Sequence, residues 1–157
     1  MKSKDKSGFE IIEHISDVGI KAWSESLNGL FETSALGMFS IICNISLIKP
    51  VLKKKIHFKQ DNGFNSYNYN LDDILILWLE RLLYLHEVNK LLFSSFEVLK
   101  FDFKKDGYNF LAMAFGEKIN LNFHEIFVSI KAPTYHMLEV KKDEKENLWY
   151  ATVIFDV

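Results

Sequence analysis

Residues 74–90 read ILILWLERLLYLHEVNK and are apolar nearly all round. That pattern marks a helix buried on most of its surface, the most buried helix expected in the chain. Asn70 precedes it as an N-cap, with Asp72 and Asp73 at the positive end of the helix dipole. Past Lys90 the periodicity changes. Residues 94–105, SSFEVLKFDFKK, place Phe96 and Val98 on one face, then Leu99, Phe101 and Phe103 together. The adjacent apolar pair at the switch predicts a β-bulge. Residues 104–108, KKDGY, carry the Asp-Gly signal of a hairpin, and 109–119, NFLAMAFGEKI, form the return strand.

Upstream, Ser26 is the expected N-cap of an earlier helix. Leu27, Leu30, Phe31, Ser34, Ala35, Met38, Ile41, Ile42 and Ile45 recur there at three- and four-residue steps. Residues 9–14 (FEIIEH) and 18–24 (VGIKAWS) read as strands joined by Ile15–Asp17, with Gly19 supplying a backbone angle closed to β-branched residues. Residues 51–60, VLKKKIHFKQ, alternate, with Ile56 and Phe58 opposite Lys55 and His57. Lysines along a strand suit a protected sheet edge; an RNA-facing role is the alternative. Residues 61–70 read as a surface loop. Residues 124–140 read as one long extended segment, with Pro133 pushing Ala132 toward β geometry. Residues 141–147 form a solvated turn, and 148–157, LWYATVIFDV, close the sheet. The expected class is α+β, a two-layer sandwich of a mixed, largely antiparallel sheet against two main helices. Residues 1–8 read as a frayed polar terminus and 9–157 as a single domain.

The 157 residues are 48% hydrophobic and 25% charged, with a formal charge of −2. A packed core is expected, and coating of nucleic acid by bulk charge is not. Cys43 is the single cysteine, which leaves no intrachain disulfide and no cysteine-rich zinc site; it reads as a buried, inert thiol. The N-terminus lacks the apolar core of a secretory signal. The apolar run ILILWL breaks at Glu80, far short of the roughly 18 residues of a membrane span. The expected setting is cytoplasmic, with no membrane partner.

The closing strand places Tyr150, Thr152, Ile154 and Asp156 on one face. If its end meets the Ile15–Asp17 turn, Asp17, Asp156 and the carboxylate of Val157 gather hard oxygens suited to Ca²⁺ or Mg²⁺. Equally, Asp17 could be an Asx-turn residue and Asp156 a solvated one. His14, His124, His136 and Lys131 could form a phosphate or acid/base site, or be ordinary half-buried groups. His124 and Glu125 form an HE pair, but no second His follows four residues on, so the helical metalloprotease motif is absent. No P-loop, dinucleotide fingerprint or nucleophile elbow is present.

Taken in order, EHISDVGIKAW, LFETSALGMFSII, LDDILILWLERLLYLHEVNKLLFSSFEV, GEKINLNFHEI, IKAPTYHMLEV and WYATVIFDV resemble the archease family, from about Glu10 to Val157. The resemblance implies a small α+β accessory protein of the RtcB-type RNA ligase, which joins a 2′,3′-cyclic phosphate or 3′-phosphate to a 5′-hydroxyl in tRNA splicing and RNA repair. Such proteins promote guanylylation of the ligase and its multiple turnover, with RNA contact indirect or transient. The family's metal site falls on Asp17, Asp156 and Val157, the last through chain-end oxygen. His14, His124, Glu125, Lys131 and His136 are the expected partner or phosphate contacts. The sequence departs from the family at Ile15 and Ser16, where Thr-Ala is common, at Phe123, where a basic residue is common, and at Pro133, where a β-branched residue is more usual. Two other readings stand beside the activator: a free-standing metal-dependent phosphoester hydrolase using Asp17, Asp156, His14 and His136, and a chaperone-like binding module.

Overall fold

The computed structural model describes residues 6–13, 15–61 and 69–157. In chain order the elements are β1 (Ser7–Glu13), β2 (Val18–Ser24), α1 (Leu27–Ile42), a 3-10 turn (Ile45–Leu47), β3 (Leu52–Asp61), α2 (Leu71–Asn89), β4 (Leu91–Lys104), β5 (Gly107–Lys118), β6 (Ala132–Asp143) and β7 (Leu148–Asp156). The chain has the expected α+β architecture. Its strands divide between two sheets, ordered β1-β2-β7-β6 and β3-β5-β4. Every pairing among them is antiparallel.

Both helices begin where the capping residues put them. Ser26 Oγ accepts the Gly29 N–H at 2.9 Å. Asn70 and Asp73 form a reciprocal capping box, each side chain accepting the other's main-chain N–H at 3.0 Å, which satisfies two donors that a helix start leaves orphaned. The expectation that α2 is the most buried helix is corrected. α1 lies between the sheets, against β1, β2 and β7 on one side and β4 on the other. Its small residues Ser34, Ala35 and Gly37 let the strands approach, and a Cβ at Gly37 would stand 3.1 Å from Ile20. α2 instead leaves Tyr84 and Val88 exposed. The Trp78 indole N–H donates to the Phe31 carbonyl at 3.0 Å and ties the helices together inside the core.

The bulge predicted at Val98 and Leu99 is present, as a register shift between Val98 and Lys100. A second shift, between Phe93 and Ser95, has no sequence signal of its own and leaves Leu91, Leu92 and Phe93 all buried. β1 starts at Ser7, inside the stretch expected to fray, because Ser7 pairs with Ser24 and Gly8 lies close under the Trp23 ring. The long extended segment also divides. Residues 124–131 carry no strand, and the Phe127 N–H goes to the Ile42 carbonyl at 2.8 Å rather than to a ladder. No helix among the described residues is long and apolar enough to cross a membrane.

Candidate functional site

The register of the four-stranded sheet builds the site. Val18 pairs with Phe155, so Asp17, one residue before, and Asp156, one residue after, stand at the same sheet end. The two-residue period puts both on the face of Gly19 and Ile154, the face turned away from the core. From the other side Ala132 pairs with Asp156, and the Lys131 N–H donates to the Asp156 carbonyl at 2.8 Å. Thr134 Oγ donates to the Ile154 carbonyl at 2.8 Å. Three segments distant in sequence are thus pinned around Asp156.

Gly19 is required there for space rather than for its backbone angle. A Cβ on it would stand 2.6 Å from both the Val153 carbonyl oxygen and Ile154 Cδ1. Its φ is not in the left-handed region, which corrects the reason expected from sequence.

β6 loses register with β7 between Thr134 and Glu139, and Met137 takes a φ of 57°. The displaced segment carries His136 over the sheet end. His136, Asp17, Ile15, Ser16 and Ile154 line a pocket of about 250 Å³. Tyr135, beside it, donates its hydroxyl to Asp73 Oδ1 at 2.9 Å and so ties this segment to the start of α2. Asp72 packs there too, and burial raises its carboxyl pKa, opposed by a hydrogen bond from the Val140 main chain. On the same face lies a groove of about 500 Å³ lined by Lys21, Met137, Glu139, Lys141, Tyr150 and Thr152, among others.

The sequence-predicted residues therefore separate. Asp17, Asp156, Val157, Lys131 and His136 share one sheet end. His124 and Glu125 do not join them. His124 is buried, its Nδ1 accepts the Asn120 N–H at 2.9 Å, and its Nε2 faces Glu117 Oε1 at 3.5 Å. That pairing fixes the tautomer with the proton on Nε2. Glu117 also accepts the Lys49 N–H. His124 thus braces the connection leaving β5. Glu125 is exposed beside a groove lined by Cys43, Phe123 and Phe127. His14 lies outside the described residues. Cys43 is buried as expected, and burial pushes its thiol up to about 11.

The oxygens at this sheet end suit a hard cation. Among the described residues no group of three or more His, Cys, Asp or Glu side chains converges as a metal cage. Two carboxylates and main-chain oxygen would leave coordination positions open, a pattern suited to Ca²⁺ or Mg²⁺ with water or a partner's oxygens. Thr134 was not singled out in the sequence, where the one signal available was the failure of strict alternation through TYHMLEV; Ile15 and Ser16 were marked there only as departures from the family pattern.

The chain matches the model of the Archease protein family over residues 9–157. It is 36% identical over 149 residues to the protein archease of Saccharolobus islandicus (strain Y.G.57.14), covering 95% of this chain and 98% of that one. With the protein archease of Pyrococcus abyssi the identity is 32% over 149 residues, at the same coverage. The solution structure of Methanobacterium thermoautotrophicum protein 1598 superposes with a TM-score of 0.78 at 32% identity, covering 96% of this chain and 99% of that one. The crystal structure of an archease, possible chaperone, from Thermotoga maritima shares the fold with a TM-score of 0.51 at 16% identity, covering 93% of this chain and 94% of that one.

Proposed function

The chain belongs to the archease family, and we propose that it activates an RtcB-type RNA ligase in tRNA splicing and RNA repair, as an accessory protein rather than an enzyme. It acts in the cytoplasm and promotes guanylylation of the ligase and hence its repeated turnover. The observation that carries this reading is the sheet end where the position before Val18 faces the position after Phe155. Asp17 and Asp156 would hold Ca²⁺ or Mg²⁺ there with an oxygen of Val157. The bound ion would supply a positive centre for phosphate or carboxylate oxygens at the ligase surface.

The chain's own groups then position the partner. Lys131 is exposed and is tied through its main chain to Asp156, which places a cationic residue at the same sheet end. His136 closes the pocket next to Asp17, where its ring nitrogens can give or take a hydrogen bond. Main-chain pairing on both sides of β7 fixes Asp156 and the strands beside it before any partner arrives, which lowers the ordering cost of docking.

The test is multiple-turnover ligation by the cognate ligase with and without this protein. The ligase alone should stall after its first rounds and continue when the protein is added. Equal turnover in both reactions rejects the activator reading. The phosphoester hydrolase reading draws on His136 standing beside Asp17, and predicts turnover of RNA or nucleotide substrates with no ligase present.

A further inference from the structure

The second sheet carries a surface that the ligase-activating end does not use. On its outer face, β3 presents Lys53, Lys55, His57 and Lys59, all exposed. Alternate residues of a strand lie about 6.6 Å apart, close to the separation of successive phosphates in an extended single strand. Among the described residues none of the three lysines enters an ion pair. One strand over, Phe115, Met113 and Leu111 pair with Lys53, Lys55 and His57. They form a half-buried apolar row along the same face. The other face of this sheet is closed by the core, where Phe110 packs on Trp78 and Phe31. Asp61 and Asp102 lie with Lys59 at the hairpin end, and exposed Glu97 pairs with Met113 on the β4 side of the row. These carboxylates would repel a phosphate and leave the β3 lysines as the line it can follow, while Lys49 and Lys118 share a groove with Glu117 beyond Phe115.

We infer that this outer face binds single-stranded RNA, with phosphates along the β3 lysines and bases over the Leu111–Met113–Phe115 row. A single cationic line beside an apolar one matches one strand: charge for the backbone and a platform for unpaired bases. A duplex, with two backbones and no exposed base faces, fits it less well. None of these residues belongs to the Asp17–Asp156 end, so this surface stands or falls apart from the ligase reading.

The test is fluorescence anisotropy with a short labelled uridine-rich RNA and the full chain. Three phosphates neutralised on a single strand give a slope of log K on log salt near about −2, so affinity should drop roughly 20-fold between about 50 and about 200 mM salt. Charge reversal by Lys53→Glu, Lys55→Glu and Lys59→Glu together should abolish binding, and the milder Lys→Gln triple should flatten the slope while keeping the native melting temperature. Phe115→Ala should weaken binding about fivefold or more through lost stacking, while Lys141→Glu on the other sheet should leave it unchanged. The inference is overturned by no binding at low salt, or by indifference to the lysine or Phe115 changes. An equal loss with Lys141→Glu also overturns it. A polyglutamate peptide binding as tightly as the RNA would assign the face to an acidic protein instead.

Discussion

Glu32 on α1 accepts the Val98 N–H of β4 through Oε2 at 2.7 Å, at the position where β4 is bulged. A side-chain oxygen takes the place of a main-chain partner at an irregular strand. Glu32→Ala leaves that N–H without its acceptor, at a cost of about 1 kcal/mol, the low end of the usual range because water reaches this half-buried site. Glu32→Gln keeps an acceptor oxygen and should lose less. Burial raises the Glu32 carboxyl pKa, against this hydrogen bond and with a further push from Glu97. The native state then holds the proton more tightly than the unfolded chain. This group's stabilisation is full below the ordinary glutamate range and falls as pH rises to the elevated native value. Urea midpoints against pH should show a falling contribution in the wild type that Glu32→Gln removes; a rising one contradicts the assignment.

Divalent cation should stabilise the folded protein. At a free concentration of about 100 times the dissociation constant the gain is about 2.7 kcal/mol, or a rise in Tm of about 5–10 °C for a chain of this size. Asp17→Asn should abolish that rise with Ca²⁺ and Mg²⁺, keep a native circular dichroism spectrum and lower ligase turnover. A mutant that still responds to both ions removes Asp17 from the site.

Residues added after Val157 convert its carboxylate to an amide and place bulk beside Asp156. Calorimetry should find weaker cation binding, with reduced ligase activation in the same preparation. The same extension placed before Met1 should change neither. Identical behaviour of the two forms would leave Val157 without a part in the site.

Gly19→Ala drives a methyl into the Val153 carbonyl and Ile154, each 2.6 Å from the place the new carbon would occupy. Relieving that overlap must separate β2 from β7, at a cost of about 1–3 kcal/mol. Because the same pairing brings the turn that carries Asp17 to the end of β7, cation affinity should fall together with the denaturation midpoint. Loss of stability with unchanged affinity would uncouple the site from the strand register.

His124→Ala should act on stability and leave ligation intact. The substitution strips the Asn120 N–H of its acceptor and Glu117 of its imidazole partner; about 1–3 kcal/mol is expected from the unsatisfied groups. Thermal melts alongside turnover assays separate the two effects. A folded variant that no longer activates the ligase would return His124 to the functional set.

Much of the fold follows from local rules that act within a few residues. Ser26, Asn70 and Asp73 cap helices through neighbouring main-chain groups, so residue type and position were enough. The same holds for the alternation in Val18–Ser24 and the phase switch at Val98. The division into two sheets was not legible, because partner choice depends on which apolar faces meet around α1 and not on any one strand's pattern. The greater burial of α1 over α2 has the same origin: Ser34, Ala35 and Gly37 look ordinary singly, yet they let both sheets close on it.

At the candidate site the sequence supplied the residue types, including the acids Asp17 and Asp156 and the family resemblance that joined them. It could not separate His136 from His124, since both are histidines in β-rich context. Tertiary structure parted them: the register break after Thr134 swings His136 over Asp17, whereas the turn from Asn120 folds His124 back onto Glu117. Chemical identity is local to a side chain, but which side chains meet is set by strand register and packing across the whole core.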